Sequence, residues 1–189
     1  MDVVKAINNR RAYRSLEPVE ITDDLIKDLA ECARLAPSCF NNQPARFCFV
    51  KEKEVLRQMR EALSKGNEWA YEASMIIAVF SREEDDCVIK DRIYHQFDCG
   101  LAAGFLILRA TELGLVAHPI AGYSPQKTRE ILGIPQEYQV ITLIIVGKKS
   151  EELNPVLSEK QVEWEKNRPE RKPLEEVAFL SKFTLREEN

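Results

Sequence analysis

Apolar residues recur along the chain with two periods, and their succession predicts helices interleaved with strands. Leu25, Ile26, Leu29, Ala30 and Ala33 follow helical spacing. Thr22-Asp23-Asp24 precedes them as a capping hydroxyl and two acids where the helix dipole favours negative charge, and Pro37 ends the run. Phe47 to Val50 reads as a short strand, and Val55, Leu56, Met59 and Leu63 as a helix closed by Gly66. Met75 to Phe80 reads as a buried strand, followed by a solvated acidic loop from Arg82 to Asp86. The longest and most buried helix is expected from about Tyr94 to Leu113. Gly100 and Gly104 lie one turn apart on it, where another backbone can approach, within the subunit or across a dimer. Ser124-Pro125 opens a further helix in cap-then-proline order and Gly133 closes it. Val140 to Val146, rich in β-branched residues, is the strongest strand signal. Strands mixed with helices, without a regular βαβ alternation, point to an α+β fold.

Composition narrows this picture. With 189 residues, 44% of them hydrophobic and 31% charged, the chain is expected to form a single domain over residues 1–189. A net charge of −4 argues against nucleic acid or an anionic membrane as the main partner, so any basic patch is local and suits a small anion. The apolar stretch from Cys99 to Leu108 falls short of the roughly 20 residues a membrane span needs. The first fourteen residues lack a continuous apolar core of the secretory kind, and a cytoplasmic protein is expected. Five cysteines without a C-x-x-C pair disfavour a disulfide framework and a zinc site, so free thiols are expected. Residues 150–189 are highly charged, carry Pro155, Pro169 and Pro173, and offer no obvious core element before Leu174. Trp164, Val177, Phe179, Leu180 and Phe183 give this tail apolar anchors, which favours a tail wrapping a partner surface.

Three segments can carry chemistry. Arg10, Arg11 and Arg14 close the first predicted helix, with Arg10 and Arg14 on one face, so two guanidinium forks can converge on one anion. A solvated basic helix end explains the same residues. The loop Ala36-Pro-Ser-Cys-Phe-Asn-Asn-Gln-Pro-Ala-Arg-Phe47 combines a proline turn, a hydroxyl and three side-chain amides, the donor and acceptor mixture a flavin ring edge requires; an ordinary polar connection would look alike. Ala117-His-Pro-Ile-Ala-Gly-Tyr123 reads as a tight turn or as a small-residue wall against a flat ligand. His95 and His118 are the only histidines, too few for a histidine-rich metal site, and nucleotide and hydrolase motifs are absent. A thiol nucleophile is conceivable at Cys39, but no base can be named beside it.

These blocks together resemble the FMN-dependent nitroreductase family along nearly the whole chain. The resemblance rests on Arg10-Arg-Ala-Tyr-Arg14 with Pro18-Val19, on Ala36-Pro-Ser-x-x-Asn-x-Gln-Pro-x-Arg-Phe47, and on Asp98-Cys-Gly-Leu-Ala-Ala with Glu112-Leu-Gly-Leu115. Ile131-Leu-Gly-Ile-Pro135 with the strand to Gly147, and Arg171-Lys-Pro-Leu-Glu-Glu176, complete it. It implies a mixed sheet flanked by helices, a long central helix, an extended C-terminal tail, and a homodimer with FMN at the subunit interface. Carried over by position, Arg10, Arg11, Ala12, Arg14 and Arg171 would hold the FMN phosphate and ribityl chain. Pro37, Ser38, Cys39, Asn41 and Gln43 would line the flavin, and Pro119, Ile120, Ala121 and Gly122 would give contacts near its reactive edge. Ala12 stands where the family usually has serine, and Ala45 where tryptophan is usual.

The implied activity is electron transfer from NAD(P)H to nitroaromatic, quinone or flavin acceptors by a ping-pong route, with no catalytic side chain and no metal. The alternatives are a flavin-storing protein without turnover, a reductive dehalogenase or flavin-destroying branch of the same fold, and an interaction domain. The short stretch from Lys65 to Ser74 disfavours the large lid such branches are expected to need.

Overall fold

The computed structural model describes residues 2–183. Its elements in chain order are α1 (Val3–Asn9), β1 (Leu16–Glu17), α2 (Asp23–Arg34), β2 (Arg46–Val50), α3 (Lys53–Met59) and β3 (Met75–Ser81). There follow β4 (Val88–Ile89), β5 (Arg92–Ile93), α4 (His95–Glu112), β6 (Val116–Ile120), α5 (Pro125–Leu132), β7 (Gln139–Lys149) and α6 (Glu159–Lys166). The α+β expectation holds. β7 is the spine of the sheet: β3 pairs along it, β6 pairs with residues 143–147, and β1 pairs with Lys148 and Lys149 at its end. β2 extends the sheet beyond β3, and all these ladders are antiparallel.

The two-residue period of the strands sorts the core into two layers. Met75, Ile77 and Val79 of β3, with Ile144 and Val146 of β7, face Leu29 and Ala33 of α2 and Cys99, Leu106 and Ala110 of α4. Their neighbours Ile76, Ala78, Leu143 and Ile145 face the other way, onto Met59, Trp69 and Ile134. A helix pair therefore covers one sheet face, and α3, α5 and the segment around Trp69 cover the other.

Local signals explain most boundaries. Thr22 caps α2, its hydroxyl accepting the Leu25 N–H, and Ser124 caps α5 in the same way with Pro125 in the first turn. Gly133 ends α5 in the left-handed conformation (φ 65°). Two expectations fail here. Of the two readings of Ala117–Tyr123, the tight turn is wrong for Ala117–Ile120, since β6 uses Val116 to Ile120 to pair with β7. Residues before Leu174 do include a helix, α6, whose start is a reciprocal capping box: Ser158 accepts from Gln161 N–H, and the Gln161 side chain accepts from Ser158 N–H.

Candidate functional site

The N-terminal arginines do not lie on a helix. α1 stops at Asn9, and Arg10 at its C-cap is already extended (φ −57°, ψ 120°). The expected shared helix face of Arg10 and Arg14 is therefore wrong, and α6 does what the helix was expected to do. Glu165, buried near the end of α6, accepts the backbone N–H groups of Arg14 (2.7 Å) and Ser15 (3.2 Å). Arg11 donates to the carbonyls of Trp164 (2.7 Å) and Glu165 (3.3 Å). Arg168 donates to the carbonyls of Asn8 (2.7 Å) and Arg10. The Arg14 guanidinium is 5.5 Å from the Trp164 ring centre and 5.8 Å from that of Trp69.

The two chain ends thus enclose a cleft of about 170 Å³ lined by Arg10, Arg11, Ala12, Arg14, Trp164, Arg168, Pro169 and Arg171. Arg10 records the charge there. Burial first, then Arg168, Arg171 and Arg11, pull it below the usual guanidinium range. The three charges acting on it are all positive, which costs energy until an anion enters. Arg14 is also pulled down by burial, with Glu165 opposing. Next to this cleft, His118 stacks on Trp69 with ring centres 4.8 Å apart, and its Nδ1 is 3.1 Å from the Tyr13 carbonyl. Burial above all, with Arg14 and Arg10 adding to it, pushes His118 down to about 4, against a partial offset from the Tyr13 carbonyl.

The central loop is built differently. Phe40, Asn41 and Gln43 all take positive φ (47°, 60° and 52°), a conformation held by specific ties. Gln43 N–H donates to the Ser38 hydroxyl (2.9 Å), the Gln43 amide donates to the Asn41 carbonyl (3.0 Å), and Cys39 N–H donates to Asp98 Oδ2 (2.7 Å) in the first turn of α4. The Asp98 carboxyl is pushed up by burial first and by Asp86 beside it, and the Cys39 amide opposes this. Pro37, Ser38, Gln43, Pro44, Ala45 and Phe47 line a second cleft of about 310 Å³. It shares no lining residue with the arginine cleft.

Cys39 is not a free thiol but is bonded to Cys87, with Cα atoms 6.0 Å apart. The antiparallel pairing of Arg46 with Phe80 explains this: it brings the segment before β2 and the segment after β3 to the same end of the sheet. A separation of 48 residues hides that proximity from any spacing rule. Cys32, Cys48 and Cys99 remain free, each pushed up by burial.

Along β6, Pro119 is exposed while Ile120 points into the core, its carbonyl accepting from the Thr142 hydroxyl (2.9 Å). Ala121 is exposed beyond it. The Gly122 carbonyl accepts from Ser64 N–H (3.0 Å) and the Asn67 amide (2.9 Å), and a Cβ at Gly122 would lie 2.3 Å from Asn67 Nδ2, so a larger residue would displace the Asn67 side chain.

The nitroreductase family model matches residues 7–68 and 63–148. The chain belongs to the nitroreductase family. A curated relative from Thermus thermophilus, named NADH dehydrogenase, is 25% identical over 183 residues, covering 80% of this chain and 89% of the relative. A crystal structure described as an oxidoreductase containing FMN is similar with a TM-score of 0.84 and 28% identity, over 97% of this chain and 93% of that one. A structure from Exiguobacterium sibiricum solved in complex with FMN has a TM-score of 0.78 at 24% identity, over 96% of this chain and 98% of that one.

In this nitroreductase-family chain, sequence reasoning missed Glu165, Arg168 and the Trp69–His118 stack. The Ser158 to Gln161 capping box was the available signal for the first two, since it starts the helix that carries Glu165 and delivers Arg168. Nothing local announces the stack, which depends on β6 lying beside the segment after α3.

Proposed function

We propose that this chain is an FMN-dependent oxidoreductase that carries electrons from NAD(P)H to nitroaromatic, quinone or flavin acceptors by a ping-pong route, as a homodimer with FMN at the subunit interface. The observation that carries the reading is the arginine cleft. Five arginines line it, and Arg10 is held in a field of cations that a phosphate dianion would neutralise. The FMN phosphate fits this donor set, and the likeness to solved FMN proteins supports the same assignment.

FMN supplies the two-electron chemistry between a nicotinamide and an acceptor. The protein's part is to hold and orient it. Arg10, Arg11, Arg14 and Arg171 take the phosphate and ribityl chain, with Ala12 leaving the neighbouring backbone N–H as donor in place of a hydroxyl. His118 stays neutral at physiological pH behind Trp69, so it adds no charge and supplies no proton. Pro119, Ile120, Ala121 and Gly122 offer backbone and small side chains to a flat ring. Pro37, Ser38, Cys39, Asn41 and Gln43 come from the second subunit, in keeping with the separate cleft that Pro37, Ser38 and Gln43 line within one chain.

The test is titration of the purified chain with FMN and with riboflavin, which lacks the phosphate. Replacing Arg10→Ala removes one charged hydrogen bond of about 1.5–3 kcal/mol, so FMN affinity should fall roughly 10- to 100-fold. Riboflavin affinity should barely move. Equal losses for both ligands, or no loss for FMN, would place the phosphate elsewhere.

A further inference from the structure

A second cluster lies at the other end of the strained loop and uses none of the arginines. The Sγ atoms of Cys39 and Cys87 and a carboxylate oxygen of Asp86 all lie within 4.8 Å of one another. Asp86 is nine-tenths buried against the Asp98 carboxyl, and no nitrogen or hydroxyl group donates to its Oδ2. Its Oδ1 accepts from the Asn42 amide (3.3 Å), whose nitrogen is also 3.5 Å from Cys87 Sγ. A buried carboxylate oxygen left without a donor is costly, and the disulfide does nothing to satisfy it.

Reduction changes the donor set. Two electrons and two protons from a dithiol reductant, which leaves as its own disulfide, convert the Cys39–Cys87 bond to two thiols. Two sulfur donors then stand beside one unsatisfied buried oxygen. Magnesium and calcium prefer oxygen donors only, whereas two thiolates and a carboxylate suit zinc and similar borderline-soft cations. Zinc bonds of about 2.3 Å to sulfur in a tetrahedral arrangement set the two sulfurs about 3.8 Å apart, which side-chain rotation can reach from these backbone positions. The Cys39 backbone is fixed independently of the sulfur bond, through its N–H on Asp98 Oδ2. That anchor keeps one ligand in place after reduction.

We propose that, with the disulfide reduced, Cys39, Asp86 and Cys87 form a site for a zinc-class divalent cation, leaving a fourth position to water. Binding expels the thiol protons to solvent and gives the Asp86 oxygen a partner. Oxidation to the disulfide removes both sulfur ligands, so the site is open to metal only in the reduced chain.

The experiment dialyses the purified full-length chain against zinc, as the disulfide and after treatment with a phosphine reductant, and counts retained metal by mass spectrometry. Titratable thiols should rise from the three free cysteines to all five. Retained zinc should rise from none to about one per chain, as expected for a site with two thiolate ligands. Asp86→Asn and Cys87→Ser, checked for folding by circular dichroism, should each weaken retention at least tenfold in the reduced form. Should neither variant fold, cobalt added to the reduced wild type must give a thiolate-to-cobalt charge-transfer band in the difference spectrum. Zinc retention that is absent from the reduced wild type, equal in both redox states, or unchanged in folded variants overturns the proposal. None of these readouts involves flavin, so the result is independent of the FMN reading.

Discussion

His118 shows how a single residue joins the core to the cleft. It is 6% exposed, stacked on Trp69, and depressed from the ordinary histidine value to about 4. A folded value below the unfolded one means that the unfolded chain binds the proton more readily. The contribution of neutral His118 is therefore complete above about pH 6.5 and is lost as pH falls towards 4, amounting to about 3 kcal/mol. Urea unfolding at pH 7 and pH 4.5 should show a steeper loss of stability for the wild type than for His118→Gln. Parallel losses in the two proteins would show that His118 does not carry this pH dependence. Residue identity alone gave no role to this histidine, because what neutralises it is burial among side chains distant in sequence.

At the scale of elements, what was legible and what was not follow from how local each cause is. Thr22, Ser124-Pro125 and Gly133 act on their own helices, so their boundaries could be read directly. The continuous apolar run Met75–Phe80 and the β-branched run of β7 identified the central strands for the same reason. β6 was hidden because its small residues read as a turn or a wall, and its Pro119 is tolerated since β6 pairs only with β7 among the described residues. The arginines were assigned to a helix that ends before them, because the force extending residues 10–15 comes from Glu165, 150 or more residues along the chain. α4 carries the prediction that belongs to this scale. Phe97 and Phe105 on it are 62% and 44% exposed, and a Cβ at Gly100 or Gly104 would meet nothing of this chain within 4 Å. The close approach those glycines permit is not used within one subunit, which supports α4 as the centre of the proposed homodimer. For a solvent-facing helix, Gly104→Leu should be neutral or stabilising by up to about 1 kcal/mol. Across a dimer interface it should force the subunits apart. Light scattering after gel filtration should report a dimer for the wild type and a monomer of 21.7 kDa for Gly104→Leu. A variant that remains dimeric would exclude α4 from the interface.

In the whole molecule, residues 10–14 and 164–171 line one cation-rich cleft, while the loop of residues 36–47 lines another with no residue in common. Residues 159–168 of the tail dock on the N-terminus of their own chain. Beyond them Leu174, Val177, Phe179, Leu180 and Phe183 are exposed, and we propose that they complete the tail's grip on the second subunit. The part of the expected tail beyond Phe183 lies outside the described residues. No described helix is long and apolar enough to cross a membrane. All of this follows if a flavin nucleotide sits between the clefts of two subunits. The most direct test is the anaerobic absorbance spectrum of the purified protein, loaded with FMN, before and after NADH or NADPH. The account predicts a yellow protein whose flavin bands bleach with a nicotinamide and return with a quinone. A protein that stays colourless with excess FMN, or that binds it and remains yellow with both nicotinamides, would contradict it.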